Sequence, residues 1–207
     1  MNHKRFVSFR AACILGLASV LLGACRENYS PKPRAYFRIA LPEQAYQPLA
    51  EETPFAFEYP LYAQWVPDTR PLAEPFWGDL SFPSFRGTVH LSYKQIASHE
   101  DLLTYMEDSR GFVQRHIPKA TGIREEVMIW PDREVYGILY EIHGKEAASP
   151  LQFFVTDSVR HFLRGALYFD VTPNNDSLAP VIRRLEKDIR HMLHTLTWEE
   201  HAAAGSR

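Results

Sequence analysis

Cysteine is nearly missing from this chain. The two present, Cys13 and Cys25, both lie in the first 25 residues. The remaining 182 residues therefore hold no disulfide, no thiolate metal site and no cysteine nucleophile. Glycine is also sparse, and neither a Gly-rich phosphate loop nor a Gly-x-Ser-x-Gly turn is present. No apolar run reaches the ~20 residues of a membrane-spanning helix, since Ala11 to Ala24 is too short. No internal repeat with a period of about 20–50 residues is visible.

What the N-terminus does contain is ordered. Lys4, Arg5 and Arg10 precede the apolar stretch Ala11 to Val20, and Leu22, Gly23, Ala24 and Cys25 follow. A secretory signal has this charged, apolar and small-residue layout. A cysteine after the small pair makes it a bacterial lipoprotein box. Residues 1–24 are expected to be removed, leaving Cys25 as an acylated N-terminus. Acyl chains contribute ~0.8 kcal/mol per buried methylene, so two or three anchor a protein firmly. Loss of the three basic signal residues leaves 20 basic against 25 acidic, a formal charge of −5. That balance argues against bulk electrostatic binding of nucleic acid.

Ten of the 15 prolines fall between Pro31 and Pro83. Residues 25–54 read as a lipidated tether passing into extended structure, with Tyr36 to Leu41 alternating as an edge strand. Phe55 to Tyr59 reads as a short aromatic strand. Residues 60–86 mix Pro, Trp and Phe without a clear period and are expected to form packed, irregular loops. Beyond Gly87 the patterns sharpen. Thr88 to Lys94 alternates as a half-buried strand. Ser98 is placed to cap a helix running to about His116, with Leu102, Met106 and Val113 as its stripe and Pro118 as its stop. Ile123 to Ile129 pairs with Tyr136 to Ile142 across Pro131-Asp132-Arg133. Leu151 to Thr156 pairs with Arg160 to Val171 across Asp157-Ser158. Leu178, Val181, Ile182, Leu185, Ile189, Met192, Leu193 and Leu196 predict a long C-terminal helix capped by Ser177, with Pro180 in its first turn.

The expected fold is α+β: an antiparallel sheet of hairpins packed with a mid-chain helix and a long C-terminal helix. A single domain spans 55–198, and 199–207 form a disordered tail. The Phe-x-Phe-x-Tyr-Pro strand, hairpin-rich sheet and C-terminal helix ending in Trp resemble the PsbP/Mog1-like α/β/α sandwich.

Several blocks resemble the gliding motility-associated lipoprotein family GldD. They are Tyr29 to Ile39 (YSPKPRAYFRI), Phe55 to Pro60 (FAFEYP), Phe82 to Gly87 (FPSFRG) and Leu91 to Lys94 (LSYK). Gln152 to Ser158 (QFFVTDS), Arg164 to Phe169 (RGALYF) and Pro173 to Ser177 (PNNDS) continue the series. They run in family order, with Ala35 standing where the family pattern expects Gly. The resemblance implies an envelope lipoprotein that serves surface gliding, is linked to type IX secretion and supports other gliding lipoproteins without catalysing a reaction.

Candidate chemistry is thin. His191 and His194 stand i, i+3 on the last helix, but they flank core residues and no acidic partner is fixed nearby in sequence, so no metal or cofactor is expected. Asp157, Ser158 and His161 crowd one turn and cannot form a nucleophilic triad alone. No catalytic residue is assigned. Arg34 and Arg38, with Tyr36 between them, suit lipid headgroups, a partner strand or a merely soluble tether. In the loops, Trp65, Phe76 and Trp77 are candidate partner contacts wherever they stay exposed. The rival reading is an envelope hydrolase or small-ligand binder with a pocket beside the sheet.

Overall fold

The computed structural model describes residues 41–199. Cys25, Arg34, Tyr36 and Arg38 lie outside the described residues, as do the signal and the expected tail beyond Glu199, whose own amide donates to Pro54 O at 3.0 Å. So does nearly all of the expected Tyr36 to Leu41 strand.

Seven antiparallel strands form the main sheet. In chain order they are β4 (Gln64–Pro67), β5 (Gly78–Phe82), β6 (Gly87–Gln95), β7 (Gly122–Trp130), β8 (Val135–His143), β9 (Leu151–Thr156) and β10 (His161–Phe169). Their spatial order is β4-β5-β6-β10-β9-β8-β7. After β6, helix α1 (His99–Gln114) carries the chain across the sheet to the far edge. A meander from β7 to β10 then returns and closes against β6. Both expected hairpins form, with Ile123 opposite Ile142 and Leu163 opposite Val155. Their turns use left-handed backbone at Glu134 (φ 53°) and Ser158 (φ 68°). Asp157 Oδ1 accepts the amides of Val159, Arg160 and His161, which fixes the second turn.

Two short ladders close the fold. β1 (Tyr46–Pro48) pairs with β3 (Glu58–Pro60), and β2 (Phe55–Ala56) pairs with β11 (Thr197–Trp198). The expected single strand Phe55 to Tyr59 is thus split between two partners at Phe57. Its alternation survives, because Phe55, Phe57 and Tyr59 all enter the core. Residues 60–86 are also more regular than expected, since β4 and β5 lie within them. In β5 the inward positions are Gly78, Leu80 and Phe82, so glycine occupies one apolar slot and hides the period.

Helix α2 (Asn175–Thr195) packs on one face of the sheet and α1 on the other, which makes three layers. The larger core gathers Val181, Leu185, Ile189, Met192 and Leu193 of α2 against Leu80, Leu91, Phe153 and Leu163. Gly165 permits this close packing: a Cβ there would come within 2.1 Å of the Phe153 ring. The helix is capped at Asn174, three residues before the expected cap Ser177, because Asn175 Nδ2 donates to the carbonyls of Gly144 and Ala147 at 2.8 and 2.9 Å. Pro180 is therefore the sixth helical residue and forgoes one backbone bond. At the other end Arg133 Nη1 donates to the carbonyls of His194 and Leu196, satisfying the last turn.

Helix α1 begins as expected. Ser98 Oγ accepts the Asp101 amide and Asp101 accepts the Ser98 amide, a reciprocal cap. The helix ends at Gln114, before Pro118, which sits in a 3-10 turn. Met106 departs from the expected stripe and is 36% exposed. The inward place is taken by Ser109, whose hydroxyl donates back to Tyr105 O at 2.8 Å.

Candidate functional site

Trp65, Phe76 and Trp77, drawn from β4 and the loop before β5, meet at one recess of about 400 Å³. Each is held differently. Trp65 stands edge-on to Phe55 and Phe57, at 6.4 and 6.3 Å between ring centres. Its indole lies across Gly78, where a Cβ would come within 2.4 Å of the ring. The Trp77 indole donates from Nε1 to Tyr93 O at 2.8 Å. Phe76 has φ +65°, strained for a bulky residue, and meets Tyr93 edge-on at 5.7 Å.

The loop between β4 and β5 is tied at several points. Asp68 N donates to Trp77 O, and Ala73 N donates to Arg70 O, both at 2.9 Å. Asp68 accepts the Arg70 amide at 3.0 Å and its Nε at 2.9 Å. The guanidinium beside it holds the Asp68 carboxyl down at about 2. This order keeps Leu72 at 91% exposure at the loop tip.

The rim is acidic. Glu51, Glu52, Asp68 and Glu74 all line the recess. Arg70 compensates Asp68 and Lys94 compensates Glu74. The exposed Glu51 and Glu52 have no ion pair among the described residues. Aromatic walls with two uncompensated carboxylates suit a cationic, apolar guest. Sequence reasoning picked out the aromatics but missed the glutamates, which stand well before Trp65 in the chain.

A second polar cluster was also missed. Asp188 of α2 is 1% exposed and accepts the hydroxyls of Tyr46, at 2.8 Å, and Tyr62, with Arg184 Nε at 3.3 Å. Arg184 Nη2 also donates to Pro42 O at 2.7 Å. This clamp fastens the segment leading into β1 onto α2. Burial, and then the bond to Asp188, push the Tyr46 hydroxyl up to about 12. The available signal was an aspartate inside the apolar stripe, three residues after Leu185.

The histidines of the last helix part company. His191 bonds Glu58 at 2.7 Å and stacks on Tyr46, whereas His194 tilts against Trp130. Among the described residues no three His, Cys, Asp or Glu side chains gather as a metal site. His161 bonds the Tyr93 hydroxyl at 2.8 Å and stacks on Trp198, and Ser158 stays in the turn.

The sequence profile of the gliding motility lipoprotein GldD family matches residues 26–198. The chain belongs to the GldD family. No curated protein matches it. Among solved structures, the solution structure of cyanobacterial PsbP (CyanoP) from Synechocystis sp. PCC 6803 is similar at a TM-score of 0.44 and 11% identity. That similarity covers 77% of this chain and 95% of the other. The GldD match extends through the recess, the clamp and both helices. Among the described residues no helix is long and apolar enough to cross a membrane.

Proposed function

We propose that this GldD-family lipoprotein is a non-catalytic, lipid-anchored, periplasm-facing component of the gliding machinery. In this reading residues 1–24 are removed, Cys25 carries the lipid, and residues 25–54 lead into the α+β domain. The domain works by holding partners: it supports other gliding lipoproteins and, through them, type IX secretion. The supporting observation is the recess of Trp65, Phe76 and Trp77, whose loop is tied in place and whose Glu51 and Glu52 lack cationic partners among the described residues. Its occupant is a segment of a partner envelope protein that combines a Lys or Arg with an apolar side chain. The cation meets Glu51 and Glu52, and the apolar side chain meets Phe76 and Trp65. Preorganisation of the loop lowers the ordering cost of such an encounter.

The experiment is crosslinking and co-purification from the native envelope, scored together with gliding and secretion. Phe76→Ala and the pair Glu51→Lys, Glu52→Lys should lose partner and function together while abundance stays normal. His161→Ala and His194→Ala should retain the partner. If either histidine variant alone abolished function in a folded, fully associated protein, the binding reading would give way to an enzymatic one.

A further inference from the structure

A different recess, of about 260 Å³, opens between α1 and strands β6 and β10. Its walls are aromatic: Trp77, Tyr105, Phe112 and Phe162. Two cations line it. Lys94 lies 5.5 Å from the Trp77 ring and is paired with Glu74. Arg164 lies 4.3 Å from the Phe112 ring and has no carboxylate partner among the described residues. One of its five N–H groups is used, donating from Nη2 to Gln152 Oε1 at 2.9 Å.

Gln152 is itself 1% exposed, and its Nε2 has no acceptor among the described residues. Turning the amide over would set that Nε2 donor against the guanidinium, so Arg164 fixes its orientation. A buried amide thus gives up one hydrogen bond to keep a cation in place beneath α1. Burial pushes the guanidinium below its ordinary value, and Arg115, which lies 4.9 Å from the same Phe112 ring, adds a like charge. Asp108, on the exposed side of α1, is the only carboxylate among the described residues that line the recess. Lys94 is already paired with Glu74, and Asp108 makes no ion pair with Arg164 among the described residues, so the guanidinium keeps unused donors in the cleft.

We propose that this cleft binds a small organic monoanion: a carboxylate on a flat apolar body, paired with Arg164. The guanidinium edge matches a carboxylate in two parallel bonds. The rings of Phe112, Phe162, Tyr105 and Trp77 flank the body, and Ser92 lines the floor. The volume lies just below the roughly 300–1,000 Å³ of drug-sized sites, which selects a single-ring acid. This inference is independent of partner docking at the acidic recess.

The test uses the full-length chain in zwitterionic lipid nanodiscs, with empty nanodiscs as background and fluorine NMR of 4-fluorobenzoate as the readout. Binding should be saturable, and 4-fluorobenzamide, the same ring without charge, should bind at least about tenfold more weakly. Arg164→Met should lose the preference for the acid while its far-ultraviolet circular dichroism stays unchanged. Arg110→Ala, on the outer side of α1, should keep the preference. If Arg164→Met does not fold, Phe112→Ala replaces it and should weaken acid and amide alike. Three results would each overturn the proposal: no saturable binding at millimolar acid, equal affinity for acid and amide, or tighter binding of 4-fluorophenyl phosphate than of the carboxylate.

Discussion

Among the described residues, the face of the sheet under α2 and its flanking strands buries 24 apolar side chains in one cluster, whereas the face under α1 buries eight. Helix α2 contributes a continuous stripe and seals its side. Clefts of about 260 and 310 Å³ flank helix α1. The α1 side holds Lys94, Arg164, Gln152 and the Asp79–His90 pair at 2.6 Å, whereas the charged groups of α2 are tied into the Asp188 clamp and into Arg190 with Glu126, Glu141 and Glu186. One layer thus carries most of the stability. The other keeps partly covered side chains that cost little to expose and are available for recognition.

That division can be broken at several points. Leu185→Ala, in the middle of the α2 stripe, should cost about 2–5 kcal/mol and lower the melting temperature most. Asp188→Ala leaves two tyrosine hydroxyls and Arg184 without their acceptor, and should cost about 1–3 kcal/mol by denaturant titration. It should also speed proteolysis around Pro42 and Tyr46, which Leu185→Ala does only through global unfolding. Leu102→Ala, under α1, should cost toward the lower end of about 2–5 kcal/mol, because the smaller cluster around it collapses more readily. An equal loss at Leu102 and Leu185 would mean that the two faces are not as different as their burial indicates.

Acid gives a smaller effect. Burial lowers the affinity of His161 for a proton in the folded state, so the unfolded chain takes up that proton first. Its contribution is complete above a pH of about 6.5 and is lost as pH falls through the lowered value. His161→Gln should flatten stability against pH in that window. Below about pH 4.5 the loss should persist in the variant, since Glu126, held down by Arg190, then becomes protonated. The smallest changes are expected at Lys187→Ala and Met106→Ala, each within about 0.5 kcal/mol of the parent.

Much of this fold was readable because its strongest signals are local. The β7–β8 and β9–β10 hairpins announce themselves by alternation and turn residues, and α2 by eight apolar positions at helical steps. The failures have physical causes. β5 puts Gly78 where an apolar residue would mark the period, and β1 and β11 are two or three residues long and exist through their partners. Met106, expected in the stripe of α1, lies partly exposed while Ser109 is buried, because that stripe is too weak to fix which face turns inward. At the site, the aromatics were legible as a group. The glutamates that give the recess its charge are brought there by tertiary packing, as Asp188 is brought to Tyr46 and Tyr62.

Trp77 lines both the acidic recess and the cleft beneath α1, its indole held between them by Tyr93 O. In genetic terms it is pleiotropic. Replacing it removes a wall from two sites at once, so a lost phenotype at position 77 cannot be credited to either. Alleles at Glu51 and Glu52 touch one site, and alleles at Arg164 touch the other. Placed together in a complementation test they separate what a tryptophan allele merges: partial rescue of each by the other would mean two functions carried on one indole.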